Sequence, residues 1–144
     1  MKFRKILTSL VLITTLLLSS CTIQKNNEKD DDMNNLENNS PITYTQISAE
    51  EAKRIMDTET GYVIVDARTD SEYAEGHIPG AVLIPEYEVA AKAEGIIKNK
   101  DTKILVYCRS GRRSKIAAEE LVKLGYTNVY EFGGIIDWKY EIVK

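Results

Sequence analysis

The sequence predicts an α/β domain: a doubly wound, mostly parallel sheet of four to five strands with helices on both faces. Three observations carry this. Past residue 43 the chain holds four short apolar runs, and the first three lack polar alternation, as strands covered on both faces do. The segments between successive runs exceed a dozen residues, the length that a crossover between parallel strands requires. Helix-start signals and helical apolar spacing fall inside those segments.

The elements follow in order. Ser48-Ala49-Glu50-Glu51 has the spacing of a capping box, with Ile47 before it and Ala52, Ile55 and Met56 behind it on one face, so a helix starts there. Tyr62-Val63-Ile64-Val65 is the first strand. Thr69-Asp70-Ser71-Glu72 is a second capping box and opens a short helix over 70–74, before Gly76. In Gly76-His77-Ile78-Pro79-Gly80-Ala81, Pro79 and Gly80 suit the central positions of a type II turn. Ala81-Val82-Leu83-Ile84 is the next strand, residues 87–97 a helix, and Ile104-Leu105-Val106-Tyr107 a further strand. Ile116, Ala117, Leu121 and Leu124 form a helical stripe that stops at Gly125, a natural residue for the position past a helix end. Asn128-Val129-Tyr130-Glu131-Phe132 closes the sheet.

The domain is expected to occupy 43–144, because the first part of the chain has a different composition. Residues 1–5 carry Lys2, Arg4 and Lys5, and residues 6–18 are an apolar run too short to span a bilayer comfortably. Leu18-Ser19-Ser20-Cys21 follows directly and resembles the bacterial lipoprotein box. That resemblance implies a signal peptide over 1–20 and a lipid on Cys21. Residues 22–40 are rich in Asn, Asp and Lys and too poor in large apolar side chains to order themselves. Residues 21–42 therefore read as a lipidated tether reaching about 25 Å. The expected location is the bacterial cell envelope, outside the cytoplasm.

Charge narrows the partners. The chain has a formal net charge of −3, which becomes −6 once Lys2, Arg4 and Lys5 are removed with the leader. An acidic protein of this kind is a poor nucleic-acid binder. No spaced set of Cys, His or carboxylate ligands suggests a metal, and no cofactor is expected. A monomer is expected.

Chemistry concentrates where an apolar run ends on a cysteine and enters a basic turn, Val106-Tyr107-Cys108-Arg109-Ser110-Gly111-Arg112-Arg113-Ser114. Past residue 20 the chain has five arginines, and Arg109, Arg112 and Arg113 lie within five positions of Cys108. In a parallel sheet, ligands bind beyond the carboxyl ends of the strands, which is where Cys108 falls. A helix beginning near Arg112 or Arg113 would direct its free N–H groups back at the sulfur. Helix dipole and arginines favour the thiolate, so Cys108 is expected to be a nucleophile with a lowered pKa. With Cys21 lipidated, Cys108 is the only free thiol, and it is either reactive or a buried apolar residue; it cannot be half of an intramolecular disulfide.

Four motifs in order resemble those of the rhodanese-like domain family. They are Val65-Asp66-Ala67-Arg68 with Glu72, Gly76-His77-Ile78-Pro79-Gly80-Ala81, the loop of residues 108–114, and Gly133-Gly134 with Trp138. The resemblance implies sulfane-sulfur transfer through a persulfide on Cys108, from a small anionic donor such as thiosulfate to a thiol or cyanide. Arg109, Ser110, Gly111, Arg112, Arg113 and Ser114 would bind the donor. Asp66, Arg68 and Glu72 are expected to support the structure around the loop, His77 to fix its turn in preference to a Cys-His dyad, and Trp138 to act as a core lid.

Two alternatives stand beside this reading. Cysteine phosphatases and arsenate reductases place an arginine six positions after the cysteine, where this chain has Ser114. The other alternative is a module that relays or senses sulfur without turnover. A serine hydrolase is not supported, since Ser110 lacks the Gly-x-Ser-x-Gly frame.

Overall fold

The computed structural model describes residues 44–144. Cys21, the leader over 1–20 and the tether up to residue 42 lie outside the described residues. The elements run β1 (Thr45–Gln46), α1 (Ala49–Thr58), β2 (Tyr62–Asp66), α2 (Asp70–Glu75), β3 (Ala81–Leu83), a 3-10 turn (Glu86–Glu88), α3 (Val89–Ile96), β4 (Lys103–Cys108), α4 (Arg112–Lys123), β5 (Val129–Gly134) and a second 3-10 turn (Ile135–Asp137). All five strands are parallel, in the order β1-β5-β4-β2-β3. The expected α/β architecture is the observed one.

The helices begin where side chains satisfy their first N–H groups. Ser48 caps α1 by accepting the Glu51 N–H at 3.1 Å. Thr69 and Glu72 form the reciprocal capping box of α2. At the far end of α4, Gly125 N–H donates to Val122 O and Tyr126 N–H to Leu121 O, the paired bonds of a Schellman ending.

Two apolar layers cover the sheet. On one face Val65, Ile104 and Val106 meet Val89 and Ala93 of α3 and Ala117, Ala118 and Leu121 of α4. On the other, Ile64, Leu105, Tyr107 and Phe132 pack with Ala52 and Ile55 of α1 and with Trp138. Helices on both faces leave the central strands no solvated side, which accounts for their unbroken apolar runs.

Three elements differ from expectation. The fifth strand is the two-residue edge β1, whose Thr45 and Gln46 are exposed and show no apolar signal. The helix expected over 87–97 opens as the 3-10 turn and becomes α-helical only from Val89, with Tyr87 turned to solvent. In α4 the buried stripe is Ser114, Ala117, Ala118 and Leu121; Ile116 is 41% exposed. The helix starts with its small residues against the sheet, and that phase turns Ile116 outward.

Between β4 and β5 the register slips. Val106 pairs with Glu131 but Cys108 pairs with Gly134, so β5 spends three residues where β4 spends two. This bulge is made possible by Gly133, at φ +90°. It brings Gly134 against the start of the cysteine loop: a Cβ at Gly134 would lie 2.3 Å from Arg109 O.

Candidate active site

β2 and β4 are neighbours, yet the chain leaves β2 for β3 on one side and β4 for β5 on the other. The carboxyl ends of this pair therefore flank a topological switch point, the place where an open α/β sheet leaves a crevice. β4 ends on Cys108, and the loop turns at once into α4 through Gly111, whose φ of +96° an L side chain adopts only with strain.

That turn folds backbone donors toward the sulfur. Gly111 N–H donates to Cys108 Sγ at 3.1 Å. Cys108 is 1% exposed, and burial pushes its thiol up. The Ser114 hydroxyl and the N–H groups of Ser114, Ser110 and Gly111 outweigh that and hold it below the ordinary thiol value. The expected direction follows from the hydrogen bonds at the head of α4, and no arginine is among the main groups that lower the thiol.

The three arginines part company. Arg109 and Arg112 are exposed, and no carboxylate among the described residues pairs with either. Arg113 instead reaches across to α2, where its Nη1 and Nη2 donate to the two carboxylate oxygens of Glu72 at 2.7 Å each. Arg113 lies near enough to Cys108 to feel its charge, but its fork is occupied. Ser110 is exposed at the rim, while Gly111 and Ser114 are buried beneath it.

Asp66 ends β2 opposite Tyr107 and does not open into the crevice. It is fully buried and accepts from Arg68 N–H at 2.9 Å, from the Arg68 guanidinium at 2.7–3.0 Å, and from the Tyr107 hydroxyl at 2.5 Å. Arg68 also donates to Gly76 O at 2.7 Å. Burial, then the Asp66 bond, push the Tyr107 hydroxyl well above its ordinary value, so it stays a neutral donor. Its oxygen in turn accepts the Ile78 N–H at 3.2 Å. This cluster ties the residue before Cys108 to the turn after α2.

His77 packs into that turn, and its hydrogen bonds go to Tyr73 and Val143 with none to Cys108. Its ring stacks on Tyr73 at 3.7 Å, its Nδ1 lies 3.1 Å from Tyr73 O, and its backbone forms an antiparallel bridge with Val143. Ala81 N–H donates to Ile78 O at 3.0 Å around Pro79 and Gly80, closing the expected turn. Trp138 is buried against Phe132 and donates its Nε1–H to Glu141 O. Among the described residues no group of three or more His, Cys, Asp or Glu is arranged to hold a metal ion.

Sequence reasoning missed Glu131. It is 3% exposed and sits beneath the loop, accepting the Ser114 hydroxyl at 2.6 Å and the Gly133 N–H at 2.8 Å. An acidic residue inside a short strand reads as a solvent-facing position, and the only hint was the Gly-Gly pair just after it.

A parallel sheet ending in a cysteine cradled by the following helix defines a class of protein, and the comparisons with known proteins agree on it. The sequence profile of the rhodanese-like domain matches residues 48–141, and the chain belongs to that family. It is 37% identical over 80 residues to thiosulfate sulfurtransferase PspE of Escherichia coli, covering 56% of this chain and 77% of that one. It is 39% identical over 94 residues to YrkF of Bacillus subtilis, a protein with a provisional sulfur-carrier name; the match takes in 65% of this chain but only 50% of that protein's length. Among solved structures, a rhodanese with anions from Escherichia coli superposes with a TM-score of 0.55 at 35% identity, over 58% of this chain and 98% of that one.

Proposed function

We propose that this chain is a sulfurtransferase of rhodanese type, which carries sulfane sulfur on Cys108 from thiosulfate or a similar anionic donor to a thiol or cyanide. The observation that carries the reading is the set of donors around one buried sulfur: Gly111 N–H at 3.1 Å, with Ser110 and Ser114 beside it, holding the thiol below its ordinary value. Such a sulfur gives up its proton more readily than an ordinary thiol, and the donors around it suit a second anionic atom.

The reaction divides into two displacements. The Cys108 thiolate attacks the outer sulfur of thiosulfate; the new S–S bond forms as the bond to the sulfite sulfur breaks, and sulfite leaves with the electron pair. Cys108 then carries an anionic persulfide, stabilised by the loop N–H groups. A nucleophile such as cyanide attacks the outer sulfur, thiocyanate departs, and Cys108 returns as thiolate. Arg109 and Arg112, exposed and without a carboxylate partner among the described residues, draw the anionic donor in, while Glu72 keeps Arg113 beside the loop as a fixed charge. No second cysteine lies within the domain, so the sulfur leaves to an external acceptor.

The test is intact-mass analysis of the full chain after incubation with thiosulfate. One added sulfur atom mapping to Cys108 is expected, and Cys108→Ser should lose both the adduct and thiosulfate-to-cyanide turnover. A modification elsewhere, or none with any sulfur donor, sinks the mechanism. Persulfide without turnover would move the reading to sulfur relay. A Cys108-dependent turnover of an aryl phosphate would move it to a phosphatase.

The proposal includes the setting: a lipid on Cys21 and a tether holding the domain in the cell envelope. Its support is the basic start, the apolar run over 6–18, and Leu18-Ser19-Ser20-Cys21 directly after it.

A further inference from the structure

One buried acidic side chain takes no part in the two displacements. Glu131 lies on the same face of the sheet as Cys108, and its Oε1 is 4.0 Å from where a Cβ on Gly111 would stand. No lysine or arginine among the described residues pairs with it. A carboxylate buried without a cation depends on its hydrogen bonds, and Glu131 has two short ones, from Ser114 and Gly133.

Ser114 joins this carboxylate to the sulfur. Its hydroxyl is among the groups that lower the Cys108 thiol, yet it carries a single proton. The shortest contact of that hydroxyl is the 2.6 Å bond to Glu131, against 3.0 Å to Gly111 O and 3.4 Å to Gly133 O. The carboxylate therefore competes with the sulfur for that proton and reduces the sulfur's share of it. Ser114 stands in the first turn of α4, so Glu131 and Cys108 also share one positive helix end.

The consequence concerns reactivity. A sulfur anion that is stabilised too well attacks more slowly, because nucleophilicity falls as the thiol becomes more acidic. Resting on the sulfurtransferase reading, we propose that Glu131 is a positioning residue for sulfur transfer: its carboxylate competes with Cys108 for the Ser114 proton and sets a fixed negative charge behind the loop, keeping the sulfur a strong nucleophile. The charged and titratable groups around this pair are Arg109 of the loop, Arg112, Arg113 and Glu119 of α4, Glu72 of α2, Glu86 of the first 3-10 turn, Tyr107 of β4, and Tyr44 before β1. Of these carboxylates, none is hydrogen-bonded to Ser114.

The experiment is the rate of Cys108 alkylation by iodoacetamide against pH on the full chain, with adducts mapped by mass. Glu131→Gln keeps an oxygen for Gly133 but removes the charge and weakens the hold on the Ser114 proton. The midpoint should fall by about one pH unit and the plateau rate by about threefold. An unmoved or raised midpoint overturns the proposal, and a merely structural role would lower the melting temperature without moving the profile. Glu131→Asp should restore the wild-type midpoint; a midpoint matching Glu131→Gln shows that the charge is not the agent and overturns it. In a Ser114→Ala background the Glu131→Gln shift should shrink, and an equal shift overturns the proton-holding role. Glu131→Met gives the same reading if the amide variant does not fold. A wild type that takes sulfur from no donor defeats the sulfurtransferase reading alone, because alkylation needs no sulfur transfer.

Discussion

Two arginine–carboxylate pairs stand near the carboxyl ends of β2 and β4, and their surroundings differ. Arg68 and Asp66 are 6% and 0% exposed in their side chains, and both are saturated by Gly76 O and the Tyr107 hydroxyl. Arg113 and Glu72 meet at the rim, 19% and 21% exposed, as a bidentate fork between α4 and α2. The first pair joins the strand before the cysteine to the turn that packs beneath it. The second aims an arginine sideways, and of the three loop arginines Arg109 and Arg112 have no carboxylate partner among the described residues. An arginine near this cysteine can belong to its electrostatic field or bind a ligand directly, and what else it bonds decides which is open to it.

The buried pair offers the sharpest way to break this contrast. Asp66→Ala leaves a guanidinium and the Tyr107 hydroxyl buried without their acceptor, and should cost about 3–5 kcal/mol, read from urea unfolding. A loss below about 1 kcal/mol would mean that Arg68 finds water, and the contrast between the pairs would fail.

The rim pair should respond less and should depend on pH. Glu72→Gln is expected to cost at most about 1 kcal/mol near neutral pH. The Arg113 bond, against the opposing effect of burial, pulls the folded Glu72 carboxyl from 4.5 to about 2, with further help from the Thr69 N–H and hydroxyl. A depressed carboxyl stabilises the fold above its unfolded value and loses that contribution as pH falls through its folded value. The urea midpoints of wild type and Glu72→Gln should converge between pH 4.5 and about 2; a constant separation would show that the fork carries no charge coupling.

The smallest effect belongs to the exposed arginines. Arg112→Ala should leave stability unchanged and raise KM for thiosulfate about threefold at low salt, with the difference fading in about 0.5 M salt. A salt-independent rise would make Arg112 a direct ligand instead of a steering charge.

The central strands and both helix starts were legible in the sequence because their signals are local: unbroken apolar runs, and a Ser or Thr three positions before an acid. Only Thr69 and Glu72 close a full capping box, the Glu51 carboxylate turning to Arg54 instead of the Ser48 N–H. The loop was legible because Cys108 follows an apolar run and precedes a glycine-containing basic turn. What escaped depends on partners far along the chain. Strand β1 exists only because Thr45 and Gln46 align with Tyr130 and Glu131. The division of labour among Arg109, Arg112 and Arg113 is set by Glu72, 41 residues from Arg113. Glu131 is buried beneath the loop where its strand bulges into it, and no period-two pattern reports that.

The bridge between His77 and Val143 has a consequence for where this domain stops. The family's recognisable sequence ends at residue 141, but the backbone continues to Val143, which exchanges two 2.8 Å bonds with His77. On the way, the Glu141 carbonyl accepts from Trp138 and Ile142 packs 3.3 Å from the Cβ position of Gly76. The tail works as a buckle, fastening the last residues to the turn that Tyr107 supports from inside. A fragment cut at the edge of sequence similarity would leave that buckle undone, so the boundary drawn by hydrogen bonds is the one to respect when the domain is moved or fused.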